Sequence, residues 1–199
     1  MGMASFIRMK TVPAIGLNPT LWRTCKMLAG RTRIQLLRAL CERPGQCVKD
    51  LGEAVGVKRS DASQELRRIQ SRGLLKAQRQ GLPLIYRLEP DPQVSSAAPL
   101  LKSLQATMRA YPPSRDADIV QMAMGLANER RLAIVKALSA HPSTIGELQR
   151  RLGYSRSALF QHLQVLVQSG FIAKHRGLYR FRPPTHPIGR VLIRLLRQA

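Results

Sequence analysis

Thr144-Ile145-Gly146-Glu147-Leu148-Gln149-Arg150-Arg151-Leu152-Gly153-Tyr154-Ser155-Arg156-Ser157-Ala158-Leu159-Phe160-Gln161-His162-Leu163-Gln164-Val165-Leu166 is the stretch that decides the reading of this chain. Thr144 with Glu147 three residues on has the form of a capping box, in which two side chains satisfy backbone donors left open at a helix start. Gly153 stops that helix after about two turns. Ser155 is placed to cap a longer one, with Leu159, Leu163 and Leu166 at i, i+4 and i+7, and Gly170 ends it. A short helix, a tight turn and a longer helix make a helix-turn-helix.

Working outward, Phe171 to Phe181 reads as a short two-stranded wing. Upstream, Ile119, Met122, Ala123 and Leu126 mark one helix, and Leu132, Val135 and Leu138 mark another that ends near Pro142. Downstream, Ile188, Val191, Leu192 and Leu195 form an apolar stripe, with Arg190, Arg194 and Arg197 off it.

The same order occurs earlier in the chain. Leu28-Ala29-Gly30-Arg31-Thr32-Arg33-Ile34 aligns with Leu126-Ala127-Asn128-Glu129-Arg130-Arg131-Leu132, and Pro44 aligns with Pro142. After a one-residue slip, Val55-Gly56-Val57 aligns with Leu152-Gly153-Tyr154, and Ser71-Arg72-Gly73-Leu74-Leu75 with Gln168-Ser169-Gly170-Phe171-Ile172. Each copy closes on a Tyr-Arg pair, Tyr86-Arg87 and Tyr179-Arg180. In the first copy the spacing predicts helices from Asn18-Pro19 to Leu28, Arg31 to Glu42, Val48 to Val55 and Ser60 to Arg72. Wing strands follow at Leu74–Gln80 and Leu84–Leu88, then a helix through Leu100, Leu101, Leu104 and Met108.

The expected fold class is therefore mainly α with small β-wings, two tandem winged helix-turn-helix domains forming an intrachain pseudo-dimer. The divisions are an N-terminal extension at 1–17, a first domain at 18–110, a linker at 111–115 and a second domain at 116–199.

Composition points to a polyanionic partner. The 199 residues carry 33 Lys plus Arg against 11 Asp plus Glu, a formal charge of +22. The excess is shared: residues 1–110 hold 19 basic and 7 acidic side chains, residues 111–199 hold 14 and 4. So large an excess repels itself in a compact chain unless a polyanion neutralises it. Arg outnumbers Lys, and a planar fork suits phosphate or guanine better than a diffuse membrane field requires. No run approaches the ~20 apolar residues of a membrane span, and Arg8, Lys10 and Pro13 break up any signal-peptide core. Cys25, Cys41 and Cys47 are odd in number and irregular in spacing, which suggests a reducing cytoplasm; with a polyanionic partner, the expected location is cytoplasmic and nucleoid-associated.

Both copies resemble the winged-helix repressors of the arsenical-resistance (ArsR-like) family, over Met27 to Leu88 and Gly125 to Phe181. Ser155 to Leu163 and the following Ser169-Gly170-Phe171-Ile172 are similar to that family's recognition-helix and strand pattern. The resemblance implies a sequence-specific regulator of transcription, a repressor, with double-stranded DNA as partner. Relatives work as two-fold dimers joined by their first and last helices, so the helices at Leu100 to Met108 and Ile188 to Leu195 would pack with the two first helices. The chain would be a pseudo-dimeric monomer, open to further homodimerisation.

The longer helix must show one face to the core and the other to the major groove. In the first copy the candidate DNA-binding residues are Arg59, Ser60, Ser63, Gln64 and Arg67, and in the second Arg156, Ser157, Phe160, Gln161 and Gln164. On the wings, Lys76, Arg79, Lys174 and Arg176 are candidates for phosphate or minor-groove contact. Phe160 either covers a thymine methyl or packs beneath the wing, the second being the preferred reading. Asp61 and Glu65 would repel phosphate if turned outward, so the copies are expected to contribute unequally.

Cofactor, metal and catalytic residues are not expected. The resemblance implies a Cys-x-Cys metal sensor at the start of the third helix, but Gln46-Cys47-Val48-Lys49 has Lys49 where the second thiol would stand, and an ammonium is no ligand. The three cysteines read as small buried hydrophobes rather than a sensor. His141, His162, His175 and His186 lack ligand spacing, and no phosphate loop or paired carboxylates occur. Two other readings stay open: a replication or plasmid-maintenance factor, and a sequence-tolerant protein that coats DNA.

Overall fold

The structure, a computed structural model, describes residues 20–198. The expected extension at 1–17 and the Asn18-Pro19 cap lie outside them. The first unit runs α1 (Leu21–Leu28), α2 (Arg31–Glu42), β1 (Gln46–Cys47), α3 (Val48–Val55), α4 (Arg59–Gln70), β2 (Lys76–Arg79), β3 (Leu84–Arg87) and α5 (Ala97–Ala110). A single 3₁₀ turn (Pro113–Arg115) leads into α6 (Asp116–Leu126), α7 (Glu129–Ala140), β4 (Ser143–Thr144), α8 (Ile145–Leu152), α9 (Arg156–Gln168), β5 (Ile172–His175), β6 (Leu178–Phe181) and α10 (Pro187–Gln198).

Each wing hairpin gains a third strand that the sequence reading omitted. β1 pairs antiparallel with β3, Gln46 opposite Tyr86, and β4 pairs with β6, Ser143 opposite Tyr179. The repeated tyrosines are buried at these pairings, which anchors each hairpin to the chain just ahead of its helix-turn-helix. The fourth helix spans Arg59–Gln70 rather than Ser60 to Arg72.

Two local devices recur in both units. Gly56 and Gly153 adopt the left-handed conformation, φ 72° and 69°, which ends α3 and α8 and turns the chain within three residues into α4 and α9. Arg33 Nε donates to Met27 O and Arg131 Nε donates to Gly125 O at 2.9 Å, so an arginine at the same repeat position fastens the last carbonyls of the preceding helix. The units differ in their caps. Asn128, Thr144 and Ser155 accept backbone N–H groups at the starts of α7, α8 and α9, whereas α2, α3 and α4 start at Gly30, Cys47 and Lys58 without a side-chain cap bond.

The units share one interface. α1 packs on α6, and α5 packs on α10, so the first helices meet each other and so do the last. Exchange of the two units maps each contact onto itself, as in the isologous interface of a two-fold dimer. Leu21, Cys25, Leu28, Leu101, Leu104, Met108, Ile119, Leu126, Ile188, Leu192 and Leu196 belong to a single buried cluster, continuous with the cores of both units. The symmetry is imperfect, because α6 also packs on α2.

Candidate nucleic-acid interface

In each helix-turn-helix the longer helix has one apolar side. Ala62, Leu66 and Ile69 of α4 and Leu159, Leu163 and Leu166 of α9 are buried, which turns the remaining faces outward. On α4 the structure places Arg59, Ser60, Gln64 and Arg67 in solvent and leaves Ser63 half-buried. On α9, Arg156, Ser157, Phe160, Gln161 and Gln164 are all exposed. The Ser155 side chain accepts the Ala158 N–H at 3.3 Å and so fixes the first turn of α9. Phe160 is 47% exposed, which corrects the preferred reading that it packs beneath the wing. Leu159, Leu163 and Leu166 already complete the core side, and the ring stands outward.

The acidic residues of α4 divide. Asp61 is exposed, but Glu65 is turned toward α2, 17% exposed, with one carboxylate oxygen 2.6 Å from Arg33 Nη1 and the other held by Arg68. Its charge is neutralised within the unit. His162 occupies the equivalent place on α9 and faces Arg130 and Arg131. Half-burial and those two cations hold its imidazole below the usual value. Arg131, without a carboxylate at that position, is itself lowered by burial.

On the wings, Arg79, Lys174 and Arg176 are exposed. Lys76 is exposed too, but its ammonium donates to Glu89 at 2.6 Å, so it is not a free cation. The Lys174 Nζ lies 5.5 Å from the ring centre of Tyr179. The second wing turns through Arg176 and Gly177, φ 47° and 82°, the two-residue turn with positive φ at both positions that suits a tight hairpin. The first wing is longer and ends in Leu82, 96% exposed. The sequence reading passed over Leu82 and over Lys58, exposed just ahead of α4. Position in a turn on the outward side was their only signal.

Cys25 is fully buried and its thiol is pushed well up by burial, while Cys41 and Cys47 are half-buried. Among the described residues no group of three or more His, Cys, Asp or Glu side chains is placed to hold a metal ion. None of their helices is long and apolar enough to cross a membrane.

Two helix-turn-helix units, each closed by a three-stranded wing and joined through their outer helices, define a tandem winged helix-turn-helix protein. The profile of the arsR family of bacterial regulatory proteins matches the chain twice, at residues 30–77 and 128–174, so both units carry the arsR-type helix-turn-helix. The chain is 32% identical to the nodulation protein NolR of Rhizobium meliloti over 77 residues, 37% of this chain and 62% of that protein. It is 43% identical to the transcriptional activator HlyU of Vibrio cholerae serotype O1 over 56 residues, 28% of this chain and 52% of that protein. These matches therefore span between half and two thirds of the relatives' lengths. No solved structure shows significant similarity to the chain.

Proposed function

We propose that the protein is a sequence-specific, double-stranded-DNA-binding regulator of transcription in which the two units act as the two subunits of a dimer. The observation that carries this reading is the pair of outward faces on α4 and α9, built on one repeat but different in side chains, and joined through α1 with α6 and α5 with α10. Arg59, Ser60, Ser63, Gln64 and Arg67 would face one half-site, and Arg156, Ser157, Phe160, Gln161 and Gln164 the other. Arg79, Lys174 and Arg176, with Lys76 once released from Glu89, would touch phosphate or the minor groove. Because the faces differ, the preferred site is an imperfect palindrome with half-sites ~34 Å apart, about one helical turn.

Repression by occupying promoter DNA is the mode we favour, since the described residues are spent on the two winged units and their shared interface. HlyU is named as an activator, so a binding site placed upstream of a promoter would give the opposite sign with the same contacts. The formal charge of +22 favours a second reading, a protein that coats DNA on the nucleoid without regard to sequence.

Selection of the purified protein on random duplexes, followed by titration of the enriched site and a scramble across a range of salt, separates them. Enrichment of one imperfect palindrome bound at least ~1000-fold tighter than the scramble supports the regulator. Equal affinities that fall together as salt rises support the coat.

A further inference from the structure

We propose that the half-site under the second unit is read as A·T pairs through the C5-methyl groups of thymine, with Phe160 as the reading side chain. The proposal rests on the DNA-binding role above and adds the base chemistry of one half-site to it.

Phe160 is the fifth residue of α9, within the turns where a recognition helix of this kind meets base edges. Its ring is 47% exposed, although Leu159, Leu163 and Leu166 of the apolar stripe it flanks are essentially fully buried. The core thus closes without the whole ring, and half of a phenyl group faces water on a helix surface whose other exposed side chains are polar apart from Val167, two turns further along. In the major groove the apolar feature of a base edge is the thymine methyl. Gln161 lies beside the ring and Gln164 one turn further along, both exposed, and a glutamine amide matches the N6 and N7 positions of adenine. Apart from His162, the only ionisable side chain of α9 is Arg156 at its first residue.

The first unit is built differently at the equivalent positions. Ser63 stands in place of Phe160 and is half-buried, Asp61 in place of Ala158 and Arg67 in place of Gln164, whereas Arg59 and Gln64 repeat Arg156 and Gln161. Arginine forks match guanine O6 and N7, and a carboxylate accepts from cytosine N4. Methyl readout is therefore confined to one half of the site.

The test begins from the motif recovered by random-duplex selection. Thymine is replaced by deoxyuridine, which removes only the methyl, separately in each half-site, and binding is followed by fluorescence anisotropy. Wild-type protein should lose about fourfold in affinity for each buried methyl in one half and nothing in the other. Phe160→Ser should bind the thymine and uracil duplexes equally, and Phe160→Leu should keep part of the difference. A selected motif with no methyl effect in the wild type, or with the same effect in Phe160→Ser, overturns the proposal and leaves the regulator intact; the exposed ring would then suit a protein contact. Failure to select any motif removes the regulator reading and this proposal together. The wild-type comparison needs no substitution and stands even if a variant folds poorly.

Discussion

The guanidinium of Arg38 on α2 grips both carboxylate oxygens of Asp116 at the start of α6, with Nε and Nη2 at 2.7 and 2.6 Å, and so ties the first unit to the second. Arg38 also donates to the Met108 and Tyr111 carbonyls at the end of α5. The two side chains are only 8% and 13% exposed. The carboxylate raises the guanidinium further above its already high value. Three helices thus converge on one arginine where the units join.

Removing one partner of a buried ion pair leaves the other charge without compensation, whereas replacing both with apolar groups is close to neutral. Asp116→Ala should therefore cost about 3–5 kcal/mol in urea denaturation, and the double substitution Arg38→Met with Asp116→Leu should recover most of it. Equal losses in the single and double variants would mean that the pair contributes shape rather than charge pairing.

Cys47 is the N-cap of α3 and has no side-chain cap bond, although the Asp50 carboxylate accepts its backbone N–H at 3.4 Å. At the equivalent place Thr144 Oγ1 accepts the Glu147 N–H at 3.3 Å. A hydroxyl caps a helix better than a thiol, so Cys47→Ser should stabilise the protein by about 1 kcal/mol and leave DNA affinity unchanged. A loss of affinity in Cys47→Ser would instead make the thiol part of a sensor. Alkylation followed by mass spectrometry should label Cys41 and Cys47 in the folded protein and Cys25 only on unfolding, because Cys25 is fully buried with its thiol pushed up.

Much of this architecture is legible in the sequence because both units repeat the same punctuation. Arg31 to Glu42 and Val48 to Val55 are bounded by Pro44, Gly56 and the apolar spacing, and α2 and α3 have those bounds. β1 and β4 escaped because two residues carry no alternation, and their pairing with β3 and β6 spans some forty residues of chain in the first unit. The outward positions on α4 and α9 follow from the apolar stripe. What those side chains do does not: the inward turn of Glu65 depends on Arg33, 32 residues away, and the capture of Lys76 depends on Glu89 across the wing. Phe160 was ambiguous because an aromatic residue suits either face of a helix, and only the completed core decides between them.

The substitution of histidine for glutamate between the repeats makes the second unit sensitive to acid. His162 is lowered by partial burial and by Arg131 and Arg130. His186, stacked on Tyr111, is lowered by burial against a partial opposing effect of Asp118. A histidine lowered in the folded state binds more protons when unfolded, so stability rises with pH across its titration. The contribution is complete above the usual imidazole value, about 6.5, and is lost as the pH falls below it toward the depressed folded value. Melting temperatures should drop between about pH 7.5 and 5.5, and His162→Gln should flatten that slope. An unchanged slope in His162→Gln would assign the acid sensitivity elsewhere.

The two wings should differ in how strongly they feel salt. Lys76 is bound by Glu89 at 2.6 Å, so reaching a phosphate requires that exposed pair to open. Lys174 rests on the Tyr179 ring with no carboxylate in contact. Each phosphate neutralised contributes about 0.9 to the slope of log affinity against log salt. Lys174→Ala should weaken binding to every duplex and lower that slope by about one, while Lys76→Ala should do less. Glu89→Gln frees the Lys76 ammonium, so it should tighten binding and steepen the slope, most clearly at low salt. If Glu89→Gln leaves both affinity and slope unchanged, Lys76 does not reach phosphate, and the basic contribution of that unit must come from Arg59, Arg67 and the other wing cation, Arg79.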